Sequence, residues 1–346
     1  MKIHTVAWMS LLLIMPALVL DGAEKQLNIS TFYDSNPREN IKDIEGTTGL
    51  KVKGLIRFNK DSQQGQLYGS VLGQGFLEPA LFLDSKFILN ADVGGHYKLV
   101  PGWRALARLK TFQKIYLEDF QQYSRITMSG SLKRMKYRSN QQEFGLRRSH
   151  TQIYSHVLFA YTNEQAYLKL SQLLPLDLQA DLNCQIGLVK YEDFPAKLLL
   201  NDSLIVSDTD NQKDLSWGLG LHVKQFGKMI WGASLSYENV SSNSVLEVSQ
   251  IWSAKLYTSG RISDRMFFHV VLQGMNKAYN NTNFNEANPY RDPEENIQNQ
   301  FHLQLERVFN SSRVAYMQYS YIKNETVFNH WFYTKSLLEA GIKITL

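Results

Sequence analysis

Apolar and polar residues alternate with a period of two over most of this chain. Leu50, Val52, Gly54, Ile56 and Phe58 form one row, against Lys51, Lys53 and Arg57. Phe87, Leu89, Ala91, Val93 and Tyr97 oppose Lys86, Asn90, Asp92, His96 and Lys98. Leu178, Ala180, Leu182, Cys184, Ile186 and Leu188 oppose Gln179, Asp181, Asn183 and Gln185. The pattern returns at 217–224, 229–238, 252–262, 301–306 and 338–346. Successive side chains of a strand point to opposite faces, so each window predicts a strand with one apolar and one polar face. Helical spacing fits all of these windows worse.

Breakers punctuate the same scheme. Pro37, Pro79, Pro101, Pro175, Pro195, Pro289 and Pro293 all fall between the predicted strands. A hydrogen-bonded ladder needs its N–H groups, and proline has none to give. Tight turns are expected at Gly227-Lys228, Ser263-Asp264-Arg265 and Asn310-Ser311-Ser312. About sixteen strands result, within a range of 14 to 18, an even number favoured for bacterial barrels. The stretch 142–161 loses its alternation near Arg148 to His150. It reads as one bulged strand, which keeps the count even. Long loops are then expected at one end, at 34–45, 114–122, 192–214 and 276–297, opposite the short turns. Strands of about ten residues cross a tilted bilayer, whereas strands of soluble sheets average five or six. The expected fold is all-β: a transmembrane antiparallel up-and-down β-barrel.

The final strand supports this. Leu338, Ala340, Ile342, Ile344 and Leu346 alternate with Glu339, Gly341, Lys343 and Thr345, and Trp331, Phe332 and Tyr333 precede them. This stretch resembles the C-terminal strand of bacterial outer-membrane barrels, although Leu346 stands where that family usually has an aromatic residue. The resemblance implies the outer membrane of a Gram-negative bacterium as destination. It also implies recognition of Leu338–Leu346 by the barrel-assembly machinery, and contact with outer-membrane lipid and lipopolysaccharide. A homo-oligomer is compatible with it. Thr31-Phe32-Tyr33-Asp34-Ser35-Asn36-Pro37 resembles the opening strand of barrels in exopolysaccharide exporters and surface-lipoprotein assembly factors. Those residues also read simply as a strand closed by an Asx-Pro turn.

Residues 1–23 have the layout of a cleaved signal peptide: Lys2 and His4, an apolar run from Val6 to Leu20, then Gly22 and Ala23. That run is shorter than the ~20 residues a spanning helix needs. Residues 24–346 are then the barrel. A hydrophobic fraction of 44% is ordinary, because in a barrel only alternate residues meet lipid. Cys184 is the one cysteine, so no internal disulfide is expected, and it falls in an apolar row. The net charge of +5 could suit nucleic acid, but export directs the reading to anionic solutes or lipid phosphates and not to nucleic acid.

No motif of catalysis or phosphate binding occurs, and no cofactor or metal is expected. His96, His150, His156, His222, His269, His302 and His330 are scattered singly. An enzyme of the outer-membrane lipase or protease type would need serine and histidine to converge across strands, with Ser124, Ser129 or Ser155 near His150 or His156 as candidates. The acidic stretch 276–297 reads as a solvated loop. Charge is the clearest functional signal. Residues 51–150 hold seventeen basic and seven acidic side chains. Lys51, Lys53, Arg57, Lys86, Lys98, Arg104, Arg108, Lys110, Lys133 and Arg147 are the lumen-lining candidates, with Arg134 and Arg148 beside them. Charge facing lipid costs a few kcal/mol at mid-membrane, so these bases are expected in the lumen or at its rims. Two readings stay open: a net field that favours anions, or bases neutralised by Asp92, Asp181, Glu238, Glu306 and Glu339. The leading functional expectation is a porin-like channel, not an enzyme. The alternative is an export or surface-assembly barrel working with a periplasmic partner.

Overall fold

A computed structural model describes residues 23–35, 46–78, 85–117, 122–136, 140–154, 158–200, 203–244, 248–279, 299–324 and 333–346. Residues 1–22 of the expected signal peptide and most of the acidic stretch 276–297 lie outside them. The strands are β1 (Glu24–Asp34), β2 (Thr47–Asp61), β3 (Gly65–Leu77), β4 (Lys86–Val100), β5 (Trp103–Tyr116), β6 (Gln122–Lys136), β7 (Asn140–Tyr154) and β8 (Leu158–Leu174). They continue as β9 (Leu178–Leu200), β10 (Ser203–Gln225), β11 (Met229–Ser242), β12 (Ser249–Ser263), β13 (Met266–Tyr279), β14 (Asn299–Asn310), β15 (Arg313–Asn324) and β16 (Tyr333–Thr345). Each pairs antiparallel with its neighbours in sequence, and β1 pairs β16 to close the barrel. Closure satisfies every strand edge, a requirement where no water can hydrogen-bond a free backbone.

The register carries one row around the circumference. Ser30 lies opposite Lys51, Lys51 opposite Phe76 and Phe76 opposite Lys86. This row faces the interior and is mostly polar. The other row faces outward and exposes large apolar side chains, among them Leu132, Leu182, Leu221, Leu235 and Ile342. Aromatic residues mark its two ends. Tyr97, Trp103, Phe144, Trp231 and Phe309 stand near the short turns, and Tyr33, Trp217, Trp252 and Tyr321 near the opposite end. An apolar band between aromatic girdles is the outside of a membrane barrel. β1 begins and β16 ends at the short-turn end, where the Leu346 amide donates to the Lys25 carbonyl at 2.9 Å. The periplasmic end of such barrels carries the short turns.

Three expectations change. The stretch 142–161 is not one bulged strand: β7 ends at Tyr154 and β8 begins at Leu158. β7 pairs with β6 without a register shift, so Arg148 to His150 break the apolar pattern but not the ladder. Second, 192–214 is not a loop. β9 and β10 each run for 23 residues and extend as a hairpin well beyond the other strands. Irregular pairing near Val206, Asn211 and Lys213 separates this extension from the wall. Pro195, expected between strands, therefore lies inside β9, opposite Asn211 in that irregular stretch. Third, Arg134 and Arg148 follow Lys133 and Arg147 directly, so period two sends them outward. Arg134 lies over the Trp103 ring at 5.7 Å.

Candidate functional site in the barrel interior

All ten lumen-lining candidates fall on the interior row by register, but their surroundings differ. On the β15–β16–β1–β2 wall, charge is consumed locally. Glu339 is buried and accepts from Ser30 Oγ at 2.8 Å, Lys51 Nζ at 2.8 Å, Gln318 Nε2 at 2.7 Å and the Tyr316 hydroxyl. Lys343 pairs with Glu306. Arg57 reaches Glu24 at 3.6 Å on an exposed rim. Lys53 stands among Lys51, Lys343, Arg57 and Glu339.

The β4–β7 wall is different. Its interior row carries nine bases (Lys86, Lys98, Arg104, Arg108, Lys110, Lys114, Arg125, Lys133 and Arg147) against two acids, Asp92 and Glu143. Arg108 pairs with Asp92. Glu143 is held by Ser131 Oγ and the Tyr167 hydroxyl, both at 2.9 Å, and has no basic partner at ion-pair distance among the described residues. Among the described residues, Arg104, Lys110, Lys133 and Arg147 have no acid within ion-pair distance. Arg147 lies over the Tyr167 ring at 5.4 Å. Lys98 donates to the Gln63 carbonyl at 3.1 Å near the periplasmic rim, and Lys86 is buried near the outer end over the Phe76 ring. The bases of the two walls therefore differ in whether an acid stands beside them among the described residues.

At mid-height the interior opens into a cavity of about 580 Å³ bordered by residues from β3 round to β11. Arg108, Arg147 and Lys169 face Glu143 and Glu238 there, with Tyr68, Tyr167, Asn183, Gln185 and Ser236 between them. Tyr167 crosses to Gly145 on β7, where a Cβ would come within 2.5 Å of the ring; glycine makes room for that tyrosine. Lys169 pairs with Asp181 at 3.2 Å, and Asp181 also accepts from Gln179 at 2.8 Å.

Sequence patterning missed one feature of this interior. Near the outer end of β5 to β9 the interior row turns apolar. Tyr123, Ile153 and Tyr191 are buried together, and Phe112, Tyr161, Val189 and Phe194 pack against them. Arg125 lies over the Tyr123 ring at 5.5 Å and donates to Thr151 Oγ1 and the Tyr161 hydroxyl, both at 2.8 Å. The Tyr191 hydroxyl donates to Asp214 at 2.9 Å, at the base of the extended hairpin. The available signal was aromatic residues on the row otherwise polar in the same strands. Interior groups further down, such as Asn90, Arg108, Lys110 and Arg147, are exposed. One side of the lumen is thus filled near its outer end and open at its middle.

The Ser–His convergence that the enzyme alternative would need is not found at His150 among the described residues; it meets Thr162 at 3.2 Å and Glu192 at 3.7 Å, and Ser155 and His156 lie outside the described residues. Serine and histidine do meet elsewhere. Ser259 hydrogen-bonds His269, Ser320 hydrogen-bonds His302 at 2.8 Å, and the two rings lie 6.1 Å apart. A hydrolytic pair needs a carboxylate to orient the imidazole. Among the described residues neither ring contacts one. No group of His, Cys, Asp and Glu among them could hold a metal ion.

The fold is the transmembrane β-barrel of bacterial outer-membrane proteins: a closed sixteen-strand wall, apolar outside and polar inside, between aromatic girdles. Solved structures share the fold. The outer-membrane channel DcaP of Acinetobacter baumannii matches with a TM-score of 0.56 at 10% identity, over 94% of this chain and 96% of that one. CdiB from the same organism matches at 0.48 and 9% identity, over 93% and 60%. The siderophore receptor PirA from Pseudomonas aeruginosa matches at 0.42 and 10% identity, over 88% of this chain. The chain spans 57% of that receptor's length. No family model and no curated protein matches the sequence.

Proposed function

We propose that the barrel is a porin-like channel for small hydrophilic solutes, with anions favoured. The observation that carries this reading is the β4–β7 wall, where Arg104, Lys110, Lys133 and Arg147 have no acid within ion-pair distance among the described residues, and Arg147 borders the open cavity. Bases in a water-filled pore favour anions. The DcaP channel shares the fold, though at 10% identity it speaks to architecture only. On the wall of β15 to β2, Lys51, Lys343 and Arg57 are paired with Glu339, Glu306 and Glu24. Lys110→Gln with Arg147→Gln should therefore reduce selectivity more than Lys51→Gln with Lys343→Gln. Planar-bilayer recordings under a salt gradient test it. Reversal potentials should favour anions, more strongly at 0.01 M than at 1 M salt, as the Debye length falls from about 30 Å to about 3 Å. Cation preference in the unaltered protein would refute the anion reading. A correctly inserted barrel that never conducts would favour an export or assembly role.

A further inference from the structure

The outward face of β7 is not apolar throughout. Its outward row reads Phe144, Leu146, Arg148, His150 and Gln152, so the apolar band there stops after two residues. On β9 the same row stays apolar or small through Leu178, Ala180, Leu182, Cys184, Ile186 and Leu188 before reaching Lys190. Arg148 meets Glu164 on β8 at 3.7 Å, and Lys190 on β9 meets the same carboxylate at 3.0 Å. Lys213 on β10 is the register partner of Lys190 and belongs to the same row. The ion pairs leave the bases accessible: the side chains of Arg148 and Lys190 are 70% and 48% exposed. Arg148 approaches Glu164 through Nε, which leaves its terminal nitrogens to other acceptors. Three bases thus outnumber Glu164 and Glu192, on a face that looks at lipid.

A groove of about 580 Å³ lies in the same patch of wall. Gly130 and Ala166 form its floor, and Met128, Leu146, Ile186 and Leu215 its apolar sides. Arg148 and Glu164 border it. An apolar groove adjoining bases at the outer half of a membrane wall has the polarity of a lipid, with its chain below and an anionic head above. We propose that this patch on β6 to β10 holds one phosphorylated, acylated glycolipid of the lipid A type, the anionic lipid of the outer leaflet. One acyl chain would occupy the groove, and a phosphate would be held by Arg148 and Lys190. Glu164 would hold the two bases apart and extended.

Native mass spectrometry of the detergent-solubilised full barrel tests this. The probes are bis-phosphorylated lipid A, its dephosphorylated form and phosphatidylglycerol. One bound bis-phosphorylated lipid per barrel is expected, surviving where the dephosphorylated form is lost. Arg148→Gln with Lys190→Gln should weaken retention about tenfold or more. Gly130→Leu, which fills the groove and leaves the bases, should also weaken it. Heat-modifiable gel migration identifies folded variants, and only these are scored. If either variant assembles poorly, Lys190→Gln alone supplies the comparison. Equal retention by folded variants, or equal binding of phosphatidylglycerol, would overturn the proposal. So would oligomers of the protein that disappear with these substitutions while lipid retention does not change, since the patch would then join copies of the chain.

Discussion

At the residue scale, row membership decides what a side chain tolerates. Leu182 is exposed on the outward row and Asn183, its neighbour, borders the central cavity. An arginine facing mid-membrane lipid costs about 2–4 kcal/mol, whereas in a wet lumen it stays hydrated. Leu182→Arg should therefore lower the heat-modifiable folded fraction after refolding into vesicles, and Asn183→Arg should leave it near the unaltered level. Glu339 is the second test. Four side chains converge on its buried carboxylate. Removing one partner of a buried ion pair typically costs about 3–5 kcal/mol, because the remaining charge is left without compensation. Glu339→Ala should reduce stability on that order in urea titrations of the vesicle-inserted barrel. Combining it with Lys51→Met should recover part of the loss, since the base left without its partner is then removed as well.

At the element scale, the β9–β10 hairpin departs most from a simple wall. Its base is held by Tyr191 to Asp214, by the Lys213 amide donating to Asn243 Oδ1 at 2.7 Å, and by Asn243 Nδ2 donating to the Asn211 carbonyl at 3.0 Å. Asp210 is exposed beyond that base, and Asp264 is exposed in the opposite tight turn. With cysteine introduced at either site in a Cys184→Ser background, an impermeant thiol reagent should label position 210 on intact cells and leave 264 unlabelled. Labelling of 264 alone would invert the topology. The apolar cluster of Phe112, Tyr123, Ile153, Tyr191 and Phe194 narrows the lumen beside this hairpin. Tyr123→Ala with Phe194→Ala should raise single-channel conductance. The reversal potential should change little, because Lys110 and Arg147 are untouched.

At the scale of the whole molecule, two unlike walls adjoin in one barrel, with β3 between them. The β15–β2 wall is a connected hydrogen-bond network that joins the first and last strands. The β4–β7 wall carries bases that meet no acid among the described residues. Closure and field are thereby assigned to different parts of the circumference. Loss of Lys51 should accordingly show first in stability, and loss of Lys110 first in selectivity. Urea titration and reversal potentials measured on the same two single variants, Lys51→Gln and Lys110→Gln, check this division.

The alternation of apolar and polar residues determined the fold class, the strand count, the tight turns and the row on which each of the ten candidate bases stands. That information is local: a strand declares its two faces in any five residues, and a closed membrane sheet admits few other uses for it. Local pattern also misled where it was weakest. Arg148 to His150 read as a slipped strand because outward residues there are polar, and the 192–214 hairpin lacks the two-row contrast of a wall that meets lipid on one side. Only the tertiary structure decided which bases keep their charge. Lys51 and Glu339 are 288 positions apart in the chain. They meet because β1 lies between β2 and β16 in the closed barrel. Arg147 meets no acid among the described residues, although Glu143 lies on the same row of its own strand. Pairing across a barrel depends on the stagger between strands, which no single strand carries in its sequence.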